Sequence, residues 1–466
     1  MKDASYTLSL EGISGRSEAL AEIKRFADAH PDNAWIVGCD LDASAWDEQP
    51  TKQMLDEAVP NRPAYFSSWD MHVGWMNSRA LEAAGYTAEK PDPEGGVICR
   101  DKNGNPTGIC KEPPANDPVW GLANMAADMD RALGNVIREA LSFGVTATGC
   151  VWPYGGIPED DTIRVLREFE AAGKLPLRVS CFLKMEPGLE NPRRYARTLA
   201  SERLRFAGVK QITDGVCEAH TGYLTEPYAD DPSTCGEPAI GREDLLAMVE
   251  EADACGFSVR LHAIGNGAVK QALDCFEEVR RRHGPKALRH TIEHIETCCH
   301  EDIGRFARLG VMPSMQPIHA VLNVDGYPRL LGEKWRPLMW PTRSLIESGA
   351  IVAFGTDAPV WNLNPMEGIY AAVTRRQPWD GLPEDGFVPE QCITLAQAIQ
   401  AYTYGSACAE GFEDRIGTLE AGKLADIVVM DRNLFAIPVE DLREARPLYT
   451  IVDGTVVYEA EAPCPQ

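Results

Sequence analysis

The sequence predicts an α/β protein whose main body is a TIM-like (β/α) barrel, carrying an inserted cap and a small β side domain. Three observations point there. From about residue 131 an amphipathic helix, often closed by glycine, leads to a short apolar strand and a polar turn, and this unit recurs seven times. Three of these strands end in a polar residue that opens a Gly- or Pro-bearing turn: His262 in Leu-His-Ala-Ile-Gly, His294 in Ile-Glu-His and Asp357 in Ala-Phe-Gly-Thr-Asp-Ala-Pro. A parallel α/β barrel places its catalytic groups at such strand ends. Near the C-terminus, Asp453-Gly454 lies between two apolar alternations, which is a strong hairpin signal.

Taken in order, the units place a helix over 135–143 before a strand over 145–148, and a helix over 161–172 before 177–182. The third pairs a helix over 195–203 with 209–212. The remaining four pair 243–254 with 258–262, 268–282 with 289–294, 302–309 with 311–315, and 344–348 with 351–355. Alternation of this kind implies a parallel sheet with helices outside. Seven units are one short of a closed eight-stranded barrel, so an eighth strand is expected upstream.

Residues 1–130 do not read as a regular unit. Only 34–38 and 64–67 stand out as strand candidates, among Pro-, Asp- and Trp-rich loops, and 90–108 reads as β-turns. The expected division is a cap or insertion over 1–130, the barrel over 131–388, and a C-terminal helix with a small side sheet over 389–466.

Composition narrows the function classes. A chain of 466 residues with 44% hydrophobic and 25% charged residues can bury a barrel-sized core plus an accessory domain. Its net charge of −25 argues against nucleic acid or an anionic membrane as partner. The N-terminus lacks the apolar region of a signal peptide, and no apolar run approaches a membrane span, so a cytoplasmic location is expected. The 14 cysteines include no C-x-x-C pair and read as reduced, mostly buried thiols.

Several segments together resemble one family. They are Arg62-Pro63, Asp70-Met71-His72, Trp75 to Leu81, Thr213-Asp214-Gly215 after Lys210, His262 to Gly265, Glu293-His294, Gln316-Pro317-Ile318-His319, Thr356 to Pro359, and Gly417 to Asp426. In order and spacing the chain resembles the amidohydrolase superfamily, in the branch of long metal-dependent hydrolases that includes N-substituted formamide deformylases. The resemblance implies a metal centre on Lys210, His262, His294 and Asp357, with a divalent metal, zinc in one or two ions, as cofactor. The family's His-x-His on the first barrel strand has no match, since no two of the nine histidines are separated by one residue. The missing strand and the missing ligands are thus one omission, explained either by a start set too far downstream or by natural loss of the strand. Asn266 stands where family members usually show Asp.

Two imidazoles and a carboxylate suit a divalent metal. Asp357 is the expected catalytic residue, accepting a proton from the attacking water. Lys210 reads either as a carboxylated lysine that ligates metal or as a buried, ion-paired amine. His72, beside Trp69 and Trp75, reads as a substrate contact or as a packing histidine, and Gln316 and His319 as contacts to a substrate carbonyl or leaving group. The function so implied is metal-dependent hydrolysis of carbon–nitrogen bonds other than peptide bonds, in a small amide or formamide-like substrate, by a homodimer. The alternative is a catalytically inactive binding or assembly protein of the same fold that lacks part of the metal site.

Overall fold

The computed structural model describes residues 7–44, 46, 48–124, 129–151 and 158–461. The chain divides into two compact units. One holds residues 7–134 and 158–165, the other 135–151 and 166–461.

The first unit is built on six strands, β1 (Thr7–Ser9), β2 (Ile36–Leu41), β3 (Ala64–Ser68), β4 (Val73–Met76), β5 (Val97–Arg100) and β6 (Pro106–Lys111), in the order β1-β2-β3-β4-β6-β5. The first three run parallel, linked by helices Arg16–Ala29 and Lys52–Ala58, and the rest pair antiparallel. Phe66 and Trp75 join Ile23, Phe26 and Leu55 in one buried cluster, while Tyr65 and Met76 join Leu81, Ile98 and Val119 in another. Neighbouring residues thus serve opposite faces, the two-residue period of a strand. Because both faces are buried, no polar alternation marks these strands. Only β2 and β3 are foreshadowed in the sequence; β1, β4 and β5 span just three or four residues each.

The second unit contains the parallel sheet. Strands β7 (Ala147–Val151), β8 (Arg178–Lys184), β9 (Leu204–Ile212), β10 (Ser258–Ala263), β11 (Thr291–His294), β12 (Met312–Met315) and β13 (Ala353–Phe354) pair in sequence order, every pair parallel. All seven expected strands are present. The helix expected over 195–203 is not; a helix spans Glu190–Tyr195 instead. Ser201 Oγ accepts hydrogen bonds from the backbone of Arg203 and Leu204, a local turn that competes with helix and lets β9 begin at Leu204.

The sheet curls. Two strand steps separate β11 from β13, roughly 10 Å in a flat sheet, yet a side-chain donor atom of His294, at the end of β11, lies within 4.8 Å of one of Asp357, after β13. This is the TIM-like barrel architecture, with β7 and β13 as sheet edges. A separate antiparallel sheet of β14 (Ile427–Met430), β15 (Pro447–Val452) and β16 (Thr455–Glu459) follows. Its β15–β16 turn has φ of 53° at Asp453 and 74° at Gly454, positive at both positions as a two-residue type I′ hairpin requires. Among the described residues, cysteines are free thiols, and no helix is long and apolar enough to cross a membrane.

Candidate metal centre

The candidate ligands sit at or just past the C-terminal ends of adjacent strands. His262 is the penultimate residue of β10 and His294 the last of β11. His319 begins a short 3₁₀ turn after β12, and Asp357 follows β13 by three residues. His294 and Asp357 adopt left-handed backbone conformations, with φ of 73° and 58°. This region is sparsely used by non-glycine residues and costs on the order of 1–3 kcal/mol, so the surrounding structure must impose it.

His294, His319 and Asp357 form one group whose candidate ligand atoms lie within 4.8 Å of one another. Two imidazoles and a carboxylate this close match the donor chemistry of zinc and similar divalent ions, so the residues fit the metal that the fold family implies. The structure therefore joins two of the expected ligands, His294 and Asp357, with His319, a residue the sequence pointed to as a substrate contact.

Of the other expected ligands, His262 lies beside this group. His262 packs edge-on against His294, ring centroids 4.5 Å apart, while its Nε2 is 3.3 Å from the Gly215 carbonyl oxygen and 3.7 Å from Asp214 Oδ1. Asp214 is fixed by backbone N–H groups of Tyr223, Ile264 and Gly265. Gly265 is required there, because a Cβ would stand 2.1 Å from the Tyr223 carbonyl oxygen. Lys210 is buried on β9. Burial pushes its amine down to about 8, with Arg260 adding to the shift and Glu293 and Asp357 opposing it.

Gln316 Oε1 is 2.9 Å from His294 Nδ1, and its Nε2 is 3.5 Å from Glu293 Oε2. Glu293 Oε1 is 3.2 Å from Arg260 Nε, and Arg260 also pairs with Glu410 at 3.2 Å. Sequence reading passed over this buried charged network. The available signal was a charged residue inside each of two otherwise apolar strands, in Val-Arg-Leu-His and Ile-Glu-His. Burial pushes the Glu410 carboxyl up, against the effect of Arg260.

Trp69 and His72 belong to the first unit. There His72 Nδ1 is 2.5 Å from Glu112 Oε2, both side chains largely buried, while Trp69 lies half-buried in the turn between β3 and β4.

The comparisons with known proteins agree with this architecture. Residues 3–458 match the amidohydrolase family, and the chain belongs to that family. The putative amidohydrolase YtcJ of Bacillus subtilis (strain 168) is 30% identical over 472 residues, covering 97% of this chain and 85% of that protein. N-substituted formamide deformylase of Arthrobacter pascens is 28% identical over 476 residues, covering 98% and 84%. Among solved structures, an uncharacterized metal-dependent hydrolase from Pyrococcus horikoshii OT3 matches with a TM-score of 0.72 at 26% identity, over 94% of this chain and 84% of that one.

Proposed function

We propose that the protein is a metal-dependent hydrolase that cleaves carbon–nitrogen bonds other than peptide bonds in small amide or formamide-like substrates. The observation that carries this reading is the convergence of His294, His319 and Asp357 within 4.8 Å. Similarity to a formamide deformylase along nearly the whole chain supports the substrate class. These three residues would hold a divalent ion, zinc being the expected one, whose charge acidifies water and polarises a carbonyl. His294 and His319 act as neutral imidazole donors. Asp357 accepts the proton given up by the attacking water and returns it to the departing amine. The water oxygen bonds to the carbonyl carbon, the carbon–nitrogen bond breaks, and the amine leaves carrying that proton.

The test is a hydrolysis screen of N-formyl and N-acyl amines with the zinc-supplemented protein. Turnover of at least one compound, reduced about 100-fold or more by Asp357→Asn, is expected. Stoichiometric zinc without turnover of any of them would instead favour a binding protein of the same fold.

A further inference from the structure

We propose that Gln316 is a positioning residue for the metal centre: it holds His294 in the tautomer protonated at Nδ1, leaving Nε2 as the ligand atom. The inference rests on the reading of His294 as a metal ligand and adds what prepares that ligand.

An amide presents an acceptor at one end and two donors at the other, and which end faces His294 decides the tautomer. A carboxylate only accepts, so Glu293 Oε2, 3.5 Å from Gln316 Nε2, selects the donor end. Oε1 is then turned towards His294 Nδ1 at 2.9 Å, where it accepts the ring N–H. Were the amide reversed, its N–H₂ would face Nδ1, the lone pair would be used there, and Nε2 would carry the proton. Glu293 is in turn held by Arg260 at 3.2 Å and by Thr291 Oγ1 at 3.3 Å. Arg260 is fixed by Glu410 and by the Phe182 ring, 3.8 Å from its guanidinium carbon.

Each member of the chain from Arg260 through Glu293 and Gln316 to His294 is buried, with little freedom to rearrange. A ligand imidazole whose other nitrogen is hydrogen-bonded binds metal more tightly, and loss of that partner typically costs about 10–100-fold in affinity. This assigns Gln316 to the ligand rather than to the substrate.

Two measurements on the full chain test the assignment. In metal-free protein labelled with ¹⁵N-histidine, long-range ¹H–¹⁵N correlation reports the His294 tautomer, identified by the signal lost in His294→Ala. Wild type is expected to be protonated at Nδ1, and Gln316→Met, which keeps the volume but removes the acceptor, to shift towards Nε2. The dissociation constant of zinc alone, from chelator competition, should rise about 10–100-fold in Gln316→Met. Gln316→Glu, which restores an acceptor, should recover most of the loss. Wild-type tautomer and zinc affinity in folded Gln316→Met would overturn the inference while leaving the metal centre standing. Zinc binding indifferent to His294→Ala would remove the metal centre itself, and the tautomer measurement would still decide what Gln316 does.

Discussion

The imidazoles of His262 and His294 meet edge to face, centroids 4.5 Å apart and planes inclined at 66°, although they are not register partners. His262 pairs with Glu293 across the ladder and His294 with Ala263. The two side chains, one step out of register, meet where the backbone turns to positive φ at His294 and Ile295. If the proposed metal centre is right, His294→Ala removes a ligand, whereas His262→Ala removes the ring that packs against it. Both variants should bind zinc more weakly, His294→Ala by about tenfold or more, as read by chelator competition. Equal zinc affinity in wild type and His294→Ala would contradict this placement.

Lys210 offers a second test. A carbamate forms only on a neutral amine, and burial brings this amine down to about 8, so the reactive form is accessible near neutral pH and increases as the pH rises. Protein incubated with ¹³C-bicarbonate at pH 8.5 should give a carbamate carbon resonance that Lys210→Met abolishes. The same resonance in both proteins would place the carbamate elsewhere, and no resonance in either would leave Lys210 a buried amine.

Arg178 and Asp426 form a buried two-point ion pair, at 2.7 and 2.8 Å, between β8 and the loop that precedes β14. Removing one partner strands the other charge in the interior, a loss of about 3–5 kcal/mol. Arg178→Met should therefore lower unfolding free energy in urea by that amount. The double variant Arg178→Met with Asp426→Leu should recover much of it, and a double variant as unstable as the single one would contradict the stranded-charge account.

The sequence made the parallel sheet legible because each strand follows an amphipathic helix, most often through a glycine stop, and ends in a turn. The same holds for Asp453-Gly454, where the residue pair dictates the turn type. His294 and Asp357 were legible for a related reason, as polar groups closing apolar runs. The remainder depends on neighbours far apart in the chain. Nothing local to Arg260 or Glu293 says that the two meet, and nothing at His319 says that its turn carries it to His294 and Asp357. In the first unit, strands buried on both faces lose the alternation that would reveal them. The helix expected over 195–203 was displaced by a serine-centred turn that periodicity does not register.

Acid stability should depend on Asp253. Burial pushes its carboxyl up, but His290, Lys286 and His283 outweigh that effect and hold it well below the usual carboxylate value. A carboxylate lowered in this way contributes stability above its unfolded value of about 3.9, and the contribution is lost as pH falls below it. Asp253→Asn should therefore be less stable than wild type at pH 5–6, and the gap between the two denaturation midpoints should begin to narrow below about pH 4 and close only as the pH falls through the lowered folded-state value. A gap that stays constant down to pH 3 would show that the carboxylate charge is not what matters.

The most direct test of the account is a crystal structure of the zinc-soaked protein with anomalous data collected at the zinc edge. An ion about 2.0–2.2 Å from a ring nitrogen of His294, a ring nitrogen of His319 and a carboxylate oxygen of Asp357 is the expected result. Zinc bound elsewhere, or none bound while these three side chains remain ordered, would contradict the metal centre.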